Sequence, residues 1–185
     1  FAKCMGKIMK HKPASFLVLL ATALCTNPSE AKSSAELARL FESICYSKMP
    51  NINSARGAFL SNGFVELPVG EVPDLDEIRS PGEDLFIKLI PDERSFFIGS
   101  LVSTYFDGLG TGDACALRAF FTSVAKTHSE IKPMLSEATL TLNEVVGGRH
   151  IITYELQTDN GKGILSIIPF TLGETGAAIF LFSPR

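Results

Sequence analysis

The chain has 185 residues, 45% of them apolar, which is enough for one globular domain with a core of its own. Its net charge of −3 excludes the basic footprint of a nucleic-acid binder. With no Trp and 14 Phe, its aromatics fit core packing better than a stacking platform for sugars or single-stranded bases.

Residues 1–31 read as a secretory signal peptide, with candidate starts at Met5 and Met9. Lys7, Lys10 and Lys12 form a basic region, Phe16 to Leu24 a short apolar one, and Ser29-Glu30-Ala31 a small-x-small cleavage site after Pro28. The apolar run is far shorter than the ~20 residues of a membrane span, so no stable span is expected after cleavage. A lipoprotein would need a small residue before Cys25, where Leu24 stands. Removing these 31 residues takes away four Lys and one Glu, leaving 13 basic and 19 acidic residues and a net charge of −6. Residues 32–185 are then expected to form a single exported domain, periplasmic or secreted.

Ser33 and Glu36 have capping-box spacing, and Leu37, Leu40, Phe41, Ile44 and Cys45 follow on one helical face. Pro50 ends that helix. A second begins at Asn51 or Asn53, presents Ala55 and Phe59, and stops at Gly63, with Phe64 positioned to pack back. Val65 to Glu83 reads as a solvated acidic loop. Its Glu71, Asp74, Asp76, Glu77, Glu83 and Asp84 lack the alternation and central Gly of a calcium loop. Two strands, Leu85–Ile90 and Ser95–Thr104, flank a turn at Pro91–Arg94 and either extend the final sheet or form a smaller one.

Asp113 to Ile131 reads as the longest helix, with Leu117, Phe120, Phe121, Val124, His128 and Ile131 on one face and Pro133 closing it. Ala138 to Phe182 reads as a four-strand antiparallel meander. Leu140 and Leu142 line one face of its first strand, and Ile152, Tyr154 and Leu156 alternate in the second. Gly147-Gly148, Asn160-Gly161 and Gly173–Gly176 are its turns. The class expected is α+β: an antiparallel sheet ending in this meander and covered on one face by about three helices. Phe121 of the long helix and Leu165 or Ile167 of the meander should then be buried.

The glycines Gly108, Gly110 and Gly112 precede that helix, but Asp113 stands where a phosphate loop would carry its third Gly or its Lys, so an ordinary loop is expected. On one helix Cys115 and His128 would lie about 20 Å apart and could not act together. Cys45, Cys115, His128 and His150 lack the close pairs that seed a zinc site, so neither metal nor cofactor is expected. Cys45 and Cys115 are the only Cys left after cleavage, and an oxidising compartment favours a disulfide between them.

Phe41-Glu42-Ser43-Ile44-Cys45, then Pro50, then Phe59-Leu60-Ser61-Asn62-Gly63-Phe64 resembles small exported proteins of Gram-negative bacteria. In these a Phe-x-x-x-Cys helix precedes a short helix ending in Gly-aromatic, and a second Cys opens a later helix. The resemblance implies export and an α+β fold, and no activity. The function expected is a non-catalytic exported domain that binds a protein partner or a small ligand. The alternative is a small hydrolase-like enzyme using His150 with the Gly108–Asp113 loop, in which Asp107 or Asp113 and a nucleophile such as Ser123 or Thr111 would converge on it.

Overall fold

A computed structural model describes residues 30–49, 51–77, 79–90, 95–172 and 174–185. Most of the expected signal peptide and the turn at 91–94 lie outside these residues. The elements are α1 (Glu30–Phe41), a π-helical turn (Glu42–Tyr46), α2 (Ile52–Ser61), β1 (Val65–Leu67), α3 (Pro73–Asp76), β2 (Asp84–Ile90), β3 (Ser95–Phe106) and β4 (Gly110–Phe120). After them come α4 (Val124–Ile131), a 3-10 turn (Lys132–Leu135), β5 (Thr139–Val146), β6 (Arg149–Thr158), β7 (Gly161–Leu172) and β8 (Glu174–Pro184).

All eight strands form one antiparallel sheet in the order β1-β2-β3-β4-β8-β7-β6-β5. The C-terminal meander is present as β5 to β8, and β2 and β3 extend the same sheet. The last strand turns back into the middle, beside β4. Alternation along the strands assigns the faces. Phe86, Phe97, Leu101, Cys115, Leu117, Leu165, Ile167, Ile179 and Leu181 face the main core, together with the buried stripe of α1, the inner side of α2, and Val124 and Ile131 of α4. The opposite face carries a smaller core of Leu85, Ile87, Phe96, Ile98 and Phe120 under Leu67 and Leu75 of α3.

The N-terminal helices follow the sequence closely. Leu37, Leu40, Phe41, Ile44 and Cys45 are all fully buried. Asn51 caps α2, its side chain accepting a hydrogen bond from the Ser54 amide at 2.9 Å. Gly63 takes the left-handed conformation at φ 80°, and Phe64 returns onto Phe59 with ring centroids 5.0 Å apart. The expected capping box is absent, because α1 already runs through Ser33. Glu36 instead takes a bidentate contact from Arg39 at 2.7 and 2.8 Å.

The long helix expected over Asp113–Ile131 is a correction. Its first half is β4, a central strand, and only Val124–Ile131 is helical, starting at the cap Ser123. β4 is buried on both faces, so Ala114 to Phe120 forms an almost unbroken apolar run. Such a run carries no period of two to separate it from a buried helix. The glycines before it belong to the β3–β4 hairpin, where Gly108 and Gly110 have φ of 79° and 84°. Phe121 sits between strand and helix at φ 56°, half-buried against the smaller core and away from the meander's Leu165 and Ile167, which are themselves fully buried. A bulky residue at positive φ is strained. Phe121→Gly should therefore lose ring contacts yet gain backbone comfort, and cost less than Phe120→Ala in a chemical-denaturation series. Equal losses would contradict this placement.

The acidic loop is less solvated than expected. Leu75 is buried, and so is Glu83, whose carboxylate accepts from the Ser80 amide at 2.7 Å and from Arg118 at 3.3 Å. Burial depresses the Arg118 pKa, against the favourable charge of Glu83. The first meander strand also differs: a bulge between Leu140 and Leu142 sends these two residues to opposite faces, and β5 is exposed along most of its length.

Candidate functional site

Residues proposed from the sequence for catalysis do not meet. Ala114, Phe182, Ile164 and Glu155 lie in register across β4, β8, β7 and β6. The Gly108–Asp113 hairpin lies on one side of that row. His150 lies on β6 on the other side of that row, three strands away, roughly 14 Å across and about 20 Å along from Asp113. Its Nε2 is 2.8 Å from Asn143 Oδ1 on β5. Asp113 is buried and accepts from Ser103 Oγ at 2.8 Å and from Arg185 Nε at 3.1 Å, which holds the C-terminal residue on the sheet. Asp113 also raises the Arg185 pKa through this hydrogen bond and its charge. Ser123 caps α4 by accepting from the Lys126 amide, and Thr111 and Asp107 are exposed.

His128 is a hydrogen-bonded helix residue, its Nε2 2.7 Å from Tyr154 OH. Burial first, then the charges of Lys132 and His150, lowers its pKa. Burial raises that of Tyr154. Among the described residues no three His, Cys, Asp or Glu side chains are grouped to hold a metal ion. No described helix is long and apolar enough to cross a membrane.

Cys45 and Cys115 are joined in a disulfide, with Cα atoms 5.6 Å apart. On a helix Cys115 would have turned away from the apolar stripe. As a strand residue it faces the core directly, opposite Leu181 of β8 and beneath the π-helical turn that carries Cys45. The residue after Cys45 is Tyr46, whose hydroxyl donates to the Met134 carbonyl at 3.1 Å and ties this turn to the 3-10 segment.

Beside the disulfide opens a cleft of about 240 Å³. Tyr46 and Met49 form its helical lip, Leu156 to Asp159 its wall on β6 and the following turn, and Leu181 and Ser183 its wall on β8. The strand between these walls is β7, and Leu156 is paired there with Gly163, which carries no side chain into the space. A Cβ at Gly163 would come within 2.8 Å of the Phe182 carbonyl oxygen. The β6–β7 turn is held by Thr158 Oγ1 donating to the Gly161 carbonyl at 2.7 Å and by the Asn160 amide donating to the Pro184 carbonyl at 3.2 Å.

Ser183 is 1% exposed, and its Oγ has no hydrogen-bond partner among the described residues. Buried hydroxyls are normally partnered, and leaving one unmade costs about 1–3 kcal/mol. The lining therefore mixes apolar Met49, Leu156 and Leu181 with the polar groups of Tyr46, Gln157, Thr158, Asp159 and Ser183. Its size and mixed lining give it the makings of a small binding site. Sequence reasoning missed it because its walls come from Tyr46, Leu156 and Ser183, far apart along the chain. The one local signal was Gly163 inside an otherwise apolar strand, a mark of close approach or of space above the sheet.

Comparison with protein families, with curated proteins and with solved structures finds no match to this chain.

Proposed function

We propose that this chain is an exported, non-catalytic domain that binds a small molecule with both apolar and polar groups in the cleft between the π-helical turn and strands β6 and β8. The observation that carries the reading is Ser183, a buried hydroxyl without a partner among the described residues, at the wall of a cleft that also offers apolar Met49, Leu156 and Leu181 and polar Gln157, Thr158 and Asp159. The hydroxyl has under 1 Å² of accessible area, so a ligand carbonyl, amide or hydroxyl would satisfy it on a small outward shift of the lip, while the ligand's body lies against Met49, Leu156 and Leu181. At about 240 Å³ the space is smaller than the usual range for drug-sized ligands, which points to a compact molecule. Export is supported by the basic and apolar segments before Ala31, and the Cys45–Cys115 disulfide is compatible with it.

Native mass spectrometry of the protein recovered from the periplasm tests both parts. The expected mature chain starts at Lys32 and carries a retained small molecule, which Met49→Trp expels by filling the lip. A chain that keeps Phe16 to Leu24, found in the membrane fraction, would sink the export reading. Bare protein in every preparation, with no thermal shift on screening small amides and alcohols, would sink the ligand reading. Ser183→Ala separates binding from folding by sign. Removing an unpartnered buried hydroxyl should leave the free protein as stable or about 1 kcal/mol more stable, while ligand affinity falls three- to ten-fold, to about one hydrogen bond's worth. A variant that loses stability and binds normally would show that Ser183 serves the fold alone.

A further inference from the structure

The two edges of the sheet are not alike. β1 ends it with three residues, and β5 ends it with eight, Thr139–Val146. Within β5 there is no Pro, Lys or Arg, and Glu144 is its sole charge. Exposed edges of this length are normally shortened, charged or covered, because their free amides and carbonyls accept another strand.

The bulge in β5 alters what this edge presents. In a regular strand Leu140 and Val145, an odd number of positions apart, would point to opposite faces. Because Thr141 is the extra residue, Leu140 pairs with Tyr154 and Val145 with His150, two β6 residues of the same face. The bulge thus gathers two of the strand's three exposed apolar side chains, Leu140 and Val145, 48% and 68% accessible, on the helix-bearing side of the sheet, while Val146, opposite Arg149, faces the other way.

We infer that β5 is the contact through which two copies of this chain pair, antiparallel and edge to edge, about a two-fold axis at Asn143. With Asn143 opposite its own copy, Leu142 stands opposite Glu144 of the second chain. The bulge takes up Thr141, Leu140 meets Val145, and Thr139 meets Val146. Every pair in this register joins residues of one face, and the apolar pair occurs twice by symmetry, once on each side of the Asn143 pair at the axis and about 13 Å apart. Such an isologous contact satisfies both edges at once and closes, so it stops at a dimer. It converts two eight-stranded sheets into one of sixteen strands. Eight residues a side is a small interface, and the dimer should accordingly be a concentration-dependent one.

Sedimentation equilibrium over a hundred-fold concentration range, with the disulfide intact, reads this directly. The wild type should pass from monomer to dimer, and Val145→Lys, a change at an exposed position, should raise the dissociation constant at least ten-fold while leaving the melting temperature in place. Asn143→Cys tests the register: across an antiparallel pair the two Cα atoms would lie about 4.5–5.5 Å apart, within disulfide reach. Mild oxidation should link Asn143→Cys into covalent dimers and leave Val146→Cys unlinked. A monomer at every concentration, a dimer indifferent to Val145→Lys, or linkage at Val146→Cys in place of Asn143→Cys would each overturn the proposal.

Discussion

Replacing Phe59 with Ala should lower the stability of the domain by about 3–5 kcal/mol, the range for removing a buried aromatic ring that its surroundings cannot refill. Phe59 is fully buried where α2 meets the sheet. Its ring stacks on Phe86 of β2 at 4.5 Å, with 3° between planes, and takes the edge of Phe64 at 5.0 Å. Beneath it is Gly99 of β3, where an added Cβ would lie 2.1 Å from Phe59 Cε1. The glycine is therefore the socket for this ring, and the two residues should couple. Gly99→Ala should destabilise the wild type by crowding the ring, and should cost much less in the Phe59→Ala background, where the new methyl enters the vacated space. Chemical-denaturation midpoints of the two single variants and the double variant measure this. Additive losses would mean that the ring and the glycine do not share one space.

What could be read from the sequence depended on how far apart the cooperating residues lie. Asn51 as cap, Gly63 as the left-handed stop and Phe64 packing back are all decided within one turn of α2, and the structure has all three. The hairpin glycines Gly147, Gly148 and Gly161 likewise carry the positive φ that their turns require. β4 was misread because its burial comes from both sides. Helices lie over Cys115 and Leu117, while Arg118 and Phe120 are covered from the other face by Glu83 and the smaller core. Tertiary contacts of that kind override the helical preference of Ala114, Ala116, Leu117 and Ala119. Leu140 and Leu142 were assigned to one face by a correct rule of alternation, which a single inserted residue, Thr141, reverses. The cleft was illegible for the same reason that β4 was: Tyr46, Leu156 and Ser183 become neighbours only when β8 has folded back between β4 and β7.

Removing the Cys45–Cys115 bond should be the other severe lesion, and its effect should concentrate on the cleft. The bond closes a loop across a sequence separation of 70, for which the chain-entropy model gives roughly 4 kcal/mol. For a domain of this size that corresponds to a fall of about 8–16 °C in melting temperature. Both sulfurs are buried in the main core, so the replacement matters. Serine at either position would bury a hydroxyl, whereas a Cys45→Ala, Cys115→Ala pair leaves only a small void and isolates the loss of the link. Burial also means that a reductant should act slowly on the folded protein and quickly once denaturant has opened it. The local consequence follows from position. Cys45 holds the π-helical turn onto β4, and Tyr46 and Met49, the lip of the cleft, are carried by that turn and the residues after it. Short π-helical turns are an uncommon backbone state that needs its surroundings to hold it. In the double-Ala variant, amide hydrogen exchange from 42 to 49 should rise well beyond the increase that global destabilisation causes in β7 and β8. Small-molecule retention should fall with it. Uniform acceleration across the sheet, with 42–49 no faster than the rest, would show that the disulfide stabilises the domain as a whole and leaves the lip unaffected.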